Sequence, residues 1–117
     1  MQFLFNLKLF NEESVLAKAS IYFYKKEQTP TEHIAVKEVS NVGTQEYFIN
    51  SGIFDKKGGW VQLDITRHVD YWTGDYGNSE LRTLKLECGD DCKELNVEHC
   101  DSKKLPFLYI ALKAKTE

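Results

Sequence analysis

Trp60-Val61-Gln62-Leu63-Asp64-Ile65-Thr66-Arg67-His68-Val69-Asp70-Tyr71-Trp72 is the stretch that decides how this chain folds. Val61, Leu63 and Ile65 recur with period two, which places them on one face of a strand. The period then changes. Val69 and Trp72 stand three apart, as neighbours on one helix face do. Residues 67–72 are therefore expected to make two helical turns that pack back on the sheet. Thr66 occupies the place of an N-cap, and Asp70 falls in or just past the first turn, a favourable place for an anion. Thr73-Gly74-Asp75-Tyr76-Gly77-Asn78 stops the helix. Immediately upstream, Asp55-Lys56-Lys57-Gly58-Gly59 is the clearest turn in the chain.

Working outward, strands dominate. Phe3, Phe5, Leu7 and Leu9 fall on one face, with Asn6 and Lys8 opposite. Residues 11–14 read as a turn. Val15, Ala17, Ala19, Ile21 and Phe23 form a second inward set against Lys18 and Ser20, and Tyr22 and Tyr24 imply that the other face is partly covered. Residues 25–33 are polar, contain Pro30 and read as a loop. Short strands are expected at 34–39, around Tyr47, Phe48 and Ile49, and at 81–88, with another at 94–98. Pro106 opens a last strand, Phe107-Leu108-Tyr109-Ile110-Ala111-Leu112-Lys113, apolar on both faces and so expected to be central or covered on both sides. Seven to nine short strands with one short helix, no internal repeat and no linker describe a single mainly β domain over residues 1–117. The expected fold is an antiparallel β-sandwich or jelly-roll-like arrangement.

Composition agrees with that class. Hydrophobic residues make up 42% and charged residues 28% of 117, as in an ordinary folded domain. Aromatics reach 13%, which suits a β-rich core. The 15 basic and 18 acidic residues leave a net charge of −3 with the basic ones scattered, so a nucleic-acid face is not expected. No apolar run approaches the ~20 residues of a membrane-spanning helix. The N-terminus is apolar but has neither a basic n-region nor a small-residue cleavage site, and is not a signal peptide. The chain is then either intracellular or a piece of a longer precursor.

The cysteines are the sharpest chemical feature. Cys88, Cys92 and Cys100 crowd into thirteen residues, with His99 beside the last. Three readings stay open. Cys88, Cys92, His99 and Cys100 are the right ligand types for zinc, although no C-x-x-C pair is present and adjacent His99 and Cys100 diverge on an extended strand. Any two cysteines can pair, leaving an odd thiol that in a secreted chain points to an interchain bond. All three can also be buried thiols. Asp90 and Asp91 read as turn residues, because the calcium-loop spacing is absent. No nucleophile elbow, P-loop or G-x-G-x-x-G occurs, and no carboxylate pair stands out. No catalytic residue, cofactor or metal site is assigned, and the chain is read as a non-enzyme. There is no N-x-S/T sequon.

The order of these pieces resembles the propeptide of the transforming growth factor beta superfamily. The stretch from Trp60 to Trp72 matches W-x-x-(F/L)-D-(V/I)-T-x-x-V-x-x-W of that family. Leu84-Lys85-Leu86-Glu87-Cys88-Gly89-Asp90-Asp91-Cys92 resembles its cysteine-bearing segment, and Leu105-Pro106-Phe107-Leu108-Tyr109-Ile110 its closing Pro-Phe-Leu strand. Residues 3–10 and 15–24 resemble its early strand pair. The match runs in order along nearly the whole chain, and the paired cysteines lean toward the activin and transforming growth factor beta branch. Single pieces are less specific, since bacterial surface domains also carry W-V-x-F-D-V-T.

The resemblance implies a secreted, extracellular precursor segment: the β-rich arm that follows the family's helical straitjacket. The 117 residues contain no straitjacket helix, cystine-knot domain or basic processing site. No Arg precedes Gly74-Asp75 or Gly89-Asp90, so the integrin-binding triplet is missing. The implied role is to bind the mature growth factor dimer, assist its folding and dimerisation, and restrain its signalling. Phe107, Leu108, Tyr109, Ile110, Ala111 and Leu112 would form the strand that meets the growth factor. Cys88, Cys92 and Cys100 would provide one internal disulfide and one bond linking a homodimer. Two other classes remain. One is a β-sandwich adhesion or carbohydrate-binding domain of a larger extracellular protein, which a contiguous aromatic platform involving Tyr22, Tyr24 or Tyr76 would favour. The other is a small intracellular zinc or thiol protein.

Overall fold

The structure, a computed structural model, describes residues 1–6, 14–40, 45–72, 81–89 and 94–114. Among them are β1 (Gln2–Asn6), β2 (Ser14–Lys25), β3 (Glu32–Val39), β4 (Glu46–Phe54), β5 (Gly59–Asp64), α1 (Thr66–Trp72), β6 (Leu81–Cys88) and β7 (Phe107–Ala114). Every strand pairing is antiparallel. One sheet runs β1-β6-β3-β4 and the other β5-β2-β7. The chain is mainly β with a single short helix, as its period-two segments predict.

The two sheets share one core. Ala19, Ile21, Phe23 and Leu63 come from the three-stranded sheet, Ile34, Val36, Leu84 and Leu86 from the four-stranded one. From the Trp60–Trp72 stretch, Leu63, Ile65, Val69 and Trp72 are all buried, so both periods read from it hold. Phe23 is fully buried and meets Phe54 edge-on, ring centroids 5.3 Å apart. The turn before β5 depends on Gly58, at φ +62°. An added Cβ there would lie 2.7 Å from the Lys25 carbonyl oxygen and 2.9 Å from that of Lys26, so the backbone closes only on glycine.

Several expectations are corrected. In β2 the register slips between Leu16 and Lys18. A bulge adds one residue and reverses which side chains point inward. Leu16 therefore packs on the core, whereas Val15 and Ala17 are exposed. β7 is neither central nor covered on both sides. It stands at the end of the three-stranded sheet, with Phe107, Tyr109 and Leu112 exposed. Residues 94–98 form no strand, only one bridge between Val97 and Lys25. Thr66 does not cap the helix with its side chain. Asp64 Oδ1 accepts the Thr66 N–H at 2.8 Å, while the Thr66 hydroxyl accepts the Ala19 N–H at 2.9 Å and donates to the Ala19 carbonyl at 3.1 Å. Leu7, Leu9, the turn at 11–13 and the helix stop at 73–78 lie outside the described residues.

Removing the Phe23 ring opens a cavity in the shared core. Phe23→Ala is expected to lower stability by about 3–5 kcal/mol. Ile53→Thr, at a site 74% exposed, should stay within about 0.5 kcal/mol of the parent. Gly58→Ala should cost more than about 1 kcal/mol, because its φ and close carbonyls admit no side chain. Urea unfolding of the three variants checks the order.

Candidate functional site

β7 splits the six residues singled out along it. Leu108 and Ile110 pack on the core, while Phe107 and Tyr109 are 43% and 47% exposed on the opposite face. Ala111 is half-buried and Leu112 exposed. The backbone of β7 pairs with β2 from Phe107 opposite Tyr22 to Ala114 opposite Ser14. Among the described residues no strand pairs with its other side. A free antiparallel edge presents unpaired N–H and C=O groups, which another strand can engage.

The outer face next to that edge is aromatic. Pairing places Trp60 opposite Tyr24, and Tyr22 opposite both Gln62 and Phe107. Tyr22 and Phe107 are stacked, with centroids 5.0 Å apart and planes 4° apart. Tyr109 meets Tyr22 edge-on, and Trp60 bridges Tyr24 and Phe107 at 5.6 and 5.4 Å. The Lys104 ammonium lies 4.3 Å over the Tyr24 ring. Ser20 sits in the same face opposite Tyr109 and Asp64 yet is fully buried, and its hydroxyl has no hydrogen-bond partner among the described residues. Tyr76 is outside the described residues. The corresponding face of the other sheet mixes charge with exposed Leu4, Phe48 and Ile53. It carries Lys37, Glu46, Lys85 and Glu87, where Lys37 pairs with Glu87 and Lys85 with Glu46 at 2.8 Å. Each lysine is pushed up by its carboxylate partner, and Glu87 is pushed down chiefly by the Lys37 hydrogen bond.

A second cluster was not anticipated. Glu38, on β3, receives the His68 Nε2 proton at 2.7 Å and the Trp72 indole N–H at 2.9 Å on one carboxylate oxygen, and Arg82 at 3.1 Å on the other. Arg82 also lies over the Trp72 ring, 5.4 Å from its centroid. Burial raises the Glu38 carboxyl, but the hydrogen bonds from His68, Trp72 and Arg82 and the Arg82 charge outweigh it, so the net shift is downward. The group is ionised and already engaged by three donors. It acts as a tie between β3, β6 and α1 rather than as a proton acceptor. A cleft of about 540 Å³ opens beside it, lined by Glu38, Tyr47, His68, Tyr71, Trp72 and Arg82. The readable signal was alternation, since 34, 36 and 38 share a face and put a carboxylate on the apolar side.

Of the cysteines, Cys88 is disulfide-bonded, Cys100 is free and exposed, and Cys92 lies outside the described residues. With Cys88 committed to sulfur, the zinc set loses one of its thiolates. Cys100 sits in a turn held by Glu98, whose Oε1 accepts the backbone N–H groups of His99, Cys100 and Asp101 at 3.0–3.2 Å. Those bonds, from Cys100 first, hold the Glu98 carboxyl below its usual range. Asp90 and Asp91 are outside the described residues, and no group of three ligating side chains occurs among those described. No described helix is long and apolar enough to cross a membrane. No family model and no curated protein matches the chain.

The Glu38 tie has a pH signature. Its carboxyl titrates lower in the folded chain than in the unfolded one. The stability it contributes is therefore complete above the unfolded value of about 4.3 and is lost as pH falls through the lower folded value. Glu38→Gln should lower stability at pH 7 by about 1.5–3 kcal/mol and flatten the loss on acidification below about pH 4.3. Thermal unfolding across that range measures both.

Proposed function

We propose that this chain is the arm of a transforming growth factor beta superfamily propeptide. It is non-enzymatic, acts outside the cell and binds the mature growth factor dimer, assisting its folding and dimerisation and restraining its signalling. The observation that carries this reading is the place of β7. The segment that resembles the family's closing strand forms a sheet edge whose inner residues anchor it in the core and whose far side has no strand paired to it among the described residues. A growth-factor strand added there gains a ladder of main-chain hydrogen bonds, while the anchored inner face keeps the edge in place. Support also comes from the Trp60–Trp72 stretch, whose strand-to-helix change falls where the motif changes period. The disulfide at Cys88 suits an oxidising compartment. The exposed Cys100 thiol is free to join two copies.

One observation favours the carbohydrate-binding alternative: the exposed aromatic cluster on the β5-β2-β7 sheet. Tyr22 and Phe107, however, turn faces toward one another, Tyr24 lies under the Lys104 ammonium, and Trp60 and Tyr109 meet their neighbours edge-on, so the rings do not share one plane. A sugar stacks on an open ring face, so this geometry serves it less well than a flat platform does.

Two measurements test the reading. Sequencing the transcript past the Glu117 codon should find the frame continuing to a basic cleavage site and a cystine-knot domain, and a stop codon or an unrelated domain overturns the proposal. Intact mass of the chain from a secretory host, without reductant, should give a dimer that halves on reduction. Cys100→Ser should give a monomer that retains the Cys88 disulfide. A wild-type monomer with a free Cys100 thiol would remove the covalent homodimer.

A further inference from the structure

We infer that two adjoining clefts beside α1 form one groove that binds a neutral oligosaccharide, with Tyr71 standing between the sugar units. This is independent of the propeptide-arm proposal, and either can fail alone.

The cleft beside Glu38 has a volume of about 540 Å³. A second, of about 360 Å³, is lined by Phe48, Asn50, Asp64 and Arg67. Both volumes fall in the roughly 300–1,000 Å³ of ligand sites. His68 and Tyr71 line both clefts. They stand three apart on α1, so one helix face forms the shared wall. β4 contributes to each cleft in turn, Tyr47 to the first and Phe48 and Asn50 to the second.

The polar groups of the first cleft leave a definite pattern unfilled. A carboxylate has about four lone-pair sites. His68, Trp72 and Arg82 fill three on Glu38, which leaves one on the oxygen that Arg82 already shares. Arg82 is only 16% exposed, yet among the described residues it spends a single N–H on a hydrogen bond. A guanidinium has further donors, and donors held this far from water call for acceptors. The ion pair thus offers an acceptor and donors side by side. Hydroxyls on neighbouring carbons, each able to donate and accept, satisfy both at once.

Charge argues against an ionic ligand. Glu38 and Arg82 compensate each other in the first cleft, and Asp64 and Arg67 bring opposite signs to the second. A carboxylate or ammonium would lose hydration without gaining an unshared counter-charge. The rings argue for sugars. Tyr47, Phe48 and Tyr71 are 49%, 61% and 58% exposed. An aromatic face is electron-rich, and the C–H face of a sugar packs on it. Each cleft combines an exposed ring with planar polar side chains, and the combination repeats on both sides of Tyr71. A repeated site suits a ligand built of repeated units. A nucleobase, with one fixed donor pattern on one edge, would use a single cleft.

The test screens the intact 117-residue chain against immobilised neutral oligosaccharides, with sialylated and sulfated glycans beside them, and titrates each binder in solution. A neutral chain of about four units should bind with a Kd of about 1 mM or tighter, and its disaccharide at least about tenfold more weakly. Tyr71→Ala should weaken the longer chain at least about tenfold and unfold within a few degrees of the parent. Phe48→Ala should act in the same direction. Phe107→Thr/Tyr109→Thr, on the other sheet, should leave affinity unchanged. No neutral binder at that affinity, binding confined to charged glycans, or parental affinity in both Tyr71→Ala and Phe48→Ala overturns the inference. A disaccharide that binds as tightly as the longer chain removes the shared groove, and a loss confined to the Phe107→Thr/Tyr109→Thr variant moves the glycan to the other sheet. Either result also overturns it. The arm reading stands or falls separately, on the transcript.

Discussion

The hydroxyl of Thr66 and the backbone of Ala19 hold the molecule's parts in one arrangement. β5 pairs with β2 as far as Ser20 opposite Asp64 and then must become a helix. At that point Ala19 would lose its partners. Thr66 replaces the missing strand residue, with its hydroxyl serving the N–H and carbonyl of Ala19 together, and the Ile65 N–H reaches the same carbonyl at 3.0 Å. Asp64 starts the helix through the Thr66 N–H, and its carbonyl accepts the Asn50 side chain of β4 at 2.9 Å. One tripeptide thus joins β2, the end of β5, the start of α1 and the edge of the other sheet. Val69 and Trp72 reach the core from the direction this junction sets.

Glu38 secures the far end of the same helix. His68 and Trp72 point from α1 to its carboxylate, and Arg82 from β6 supplies the opposing charge. A helix of seven residues has little stability of its own, so tertiary contacts must hold it. A half-buried ion cluster is a costly way to do that, and removing one partner leaves a partly desolvated charge without its counterpart. Its effect is directional. An apolar contact tolerates rotation of a short helix, whereas three donors converging on one carboxylate do not.

Much of this could be read from residue periods. The change from two to three within Trp60–Trp72 located a strand, a helix and their common buried face. Two kinds of error have physical causes. The bulge in β2 reversed the sides of Val15 and Leu16, because one inserted residue inverts every position on its far side and no sequence signal marked it. β7 was expected to be covered because both faces are apolar, yet composition does not report how many neighbours a strand has. Glu38 is the opposite case. Its alternation with Ile34 and Val36 was legible, but its partners lie 30, 34 and 44 residues away and only the fold brings them together. The cysteine readings narrowed for a related reason, since the spacing allowed any pair and the structure committed Cys88.

The aromatic face also has a plain structural explanation. Cross-strand rings stabilise a sheet by roughly 0.2–1 kcal/mol per pair, and a three-stranded sheet can use such pairs for itself. That purpose is met by the Tyr22–Phe107 stack and the Tyr24–Trp60 contact across neighbouring strands. It does not require Tyr109 and Leu105 to stand exposed as well, nor does it require the cluster to border the side of β7 to which no described strand pairs. The opposite sheet faces water with ion pairs, which contribute little to stability and keep a surface hydrated. Exposed apolar side chains stand on both sheets, Leu4, Phe48 and Ile53 on one and Trp60, Phe107 and Tyr109 on the other, so what sets the three-stranded sheet apart is that its rings touch one another across neighbouring strands.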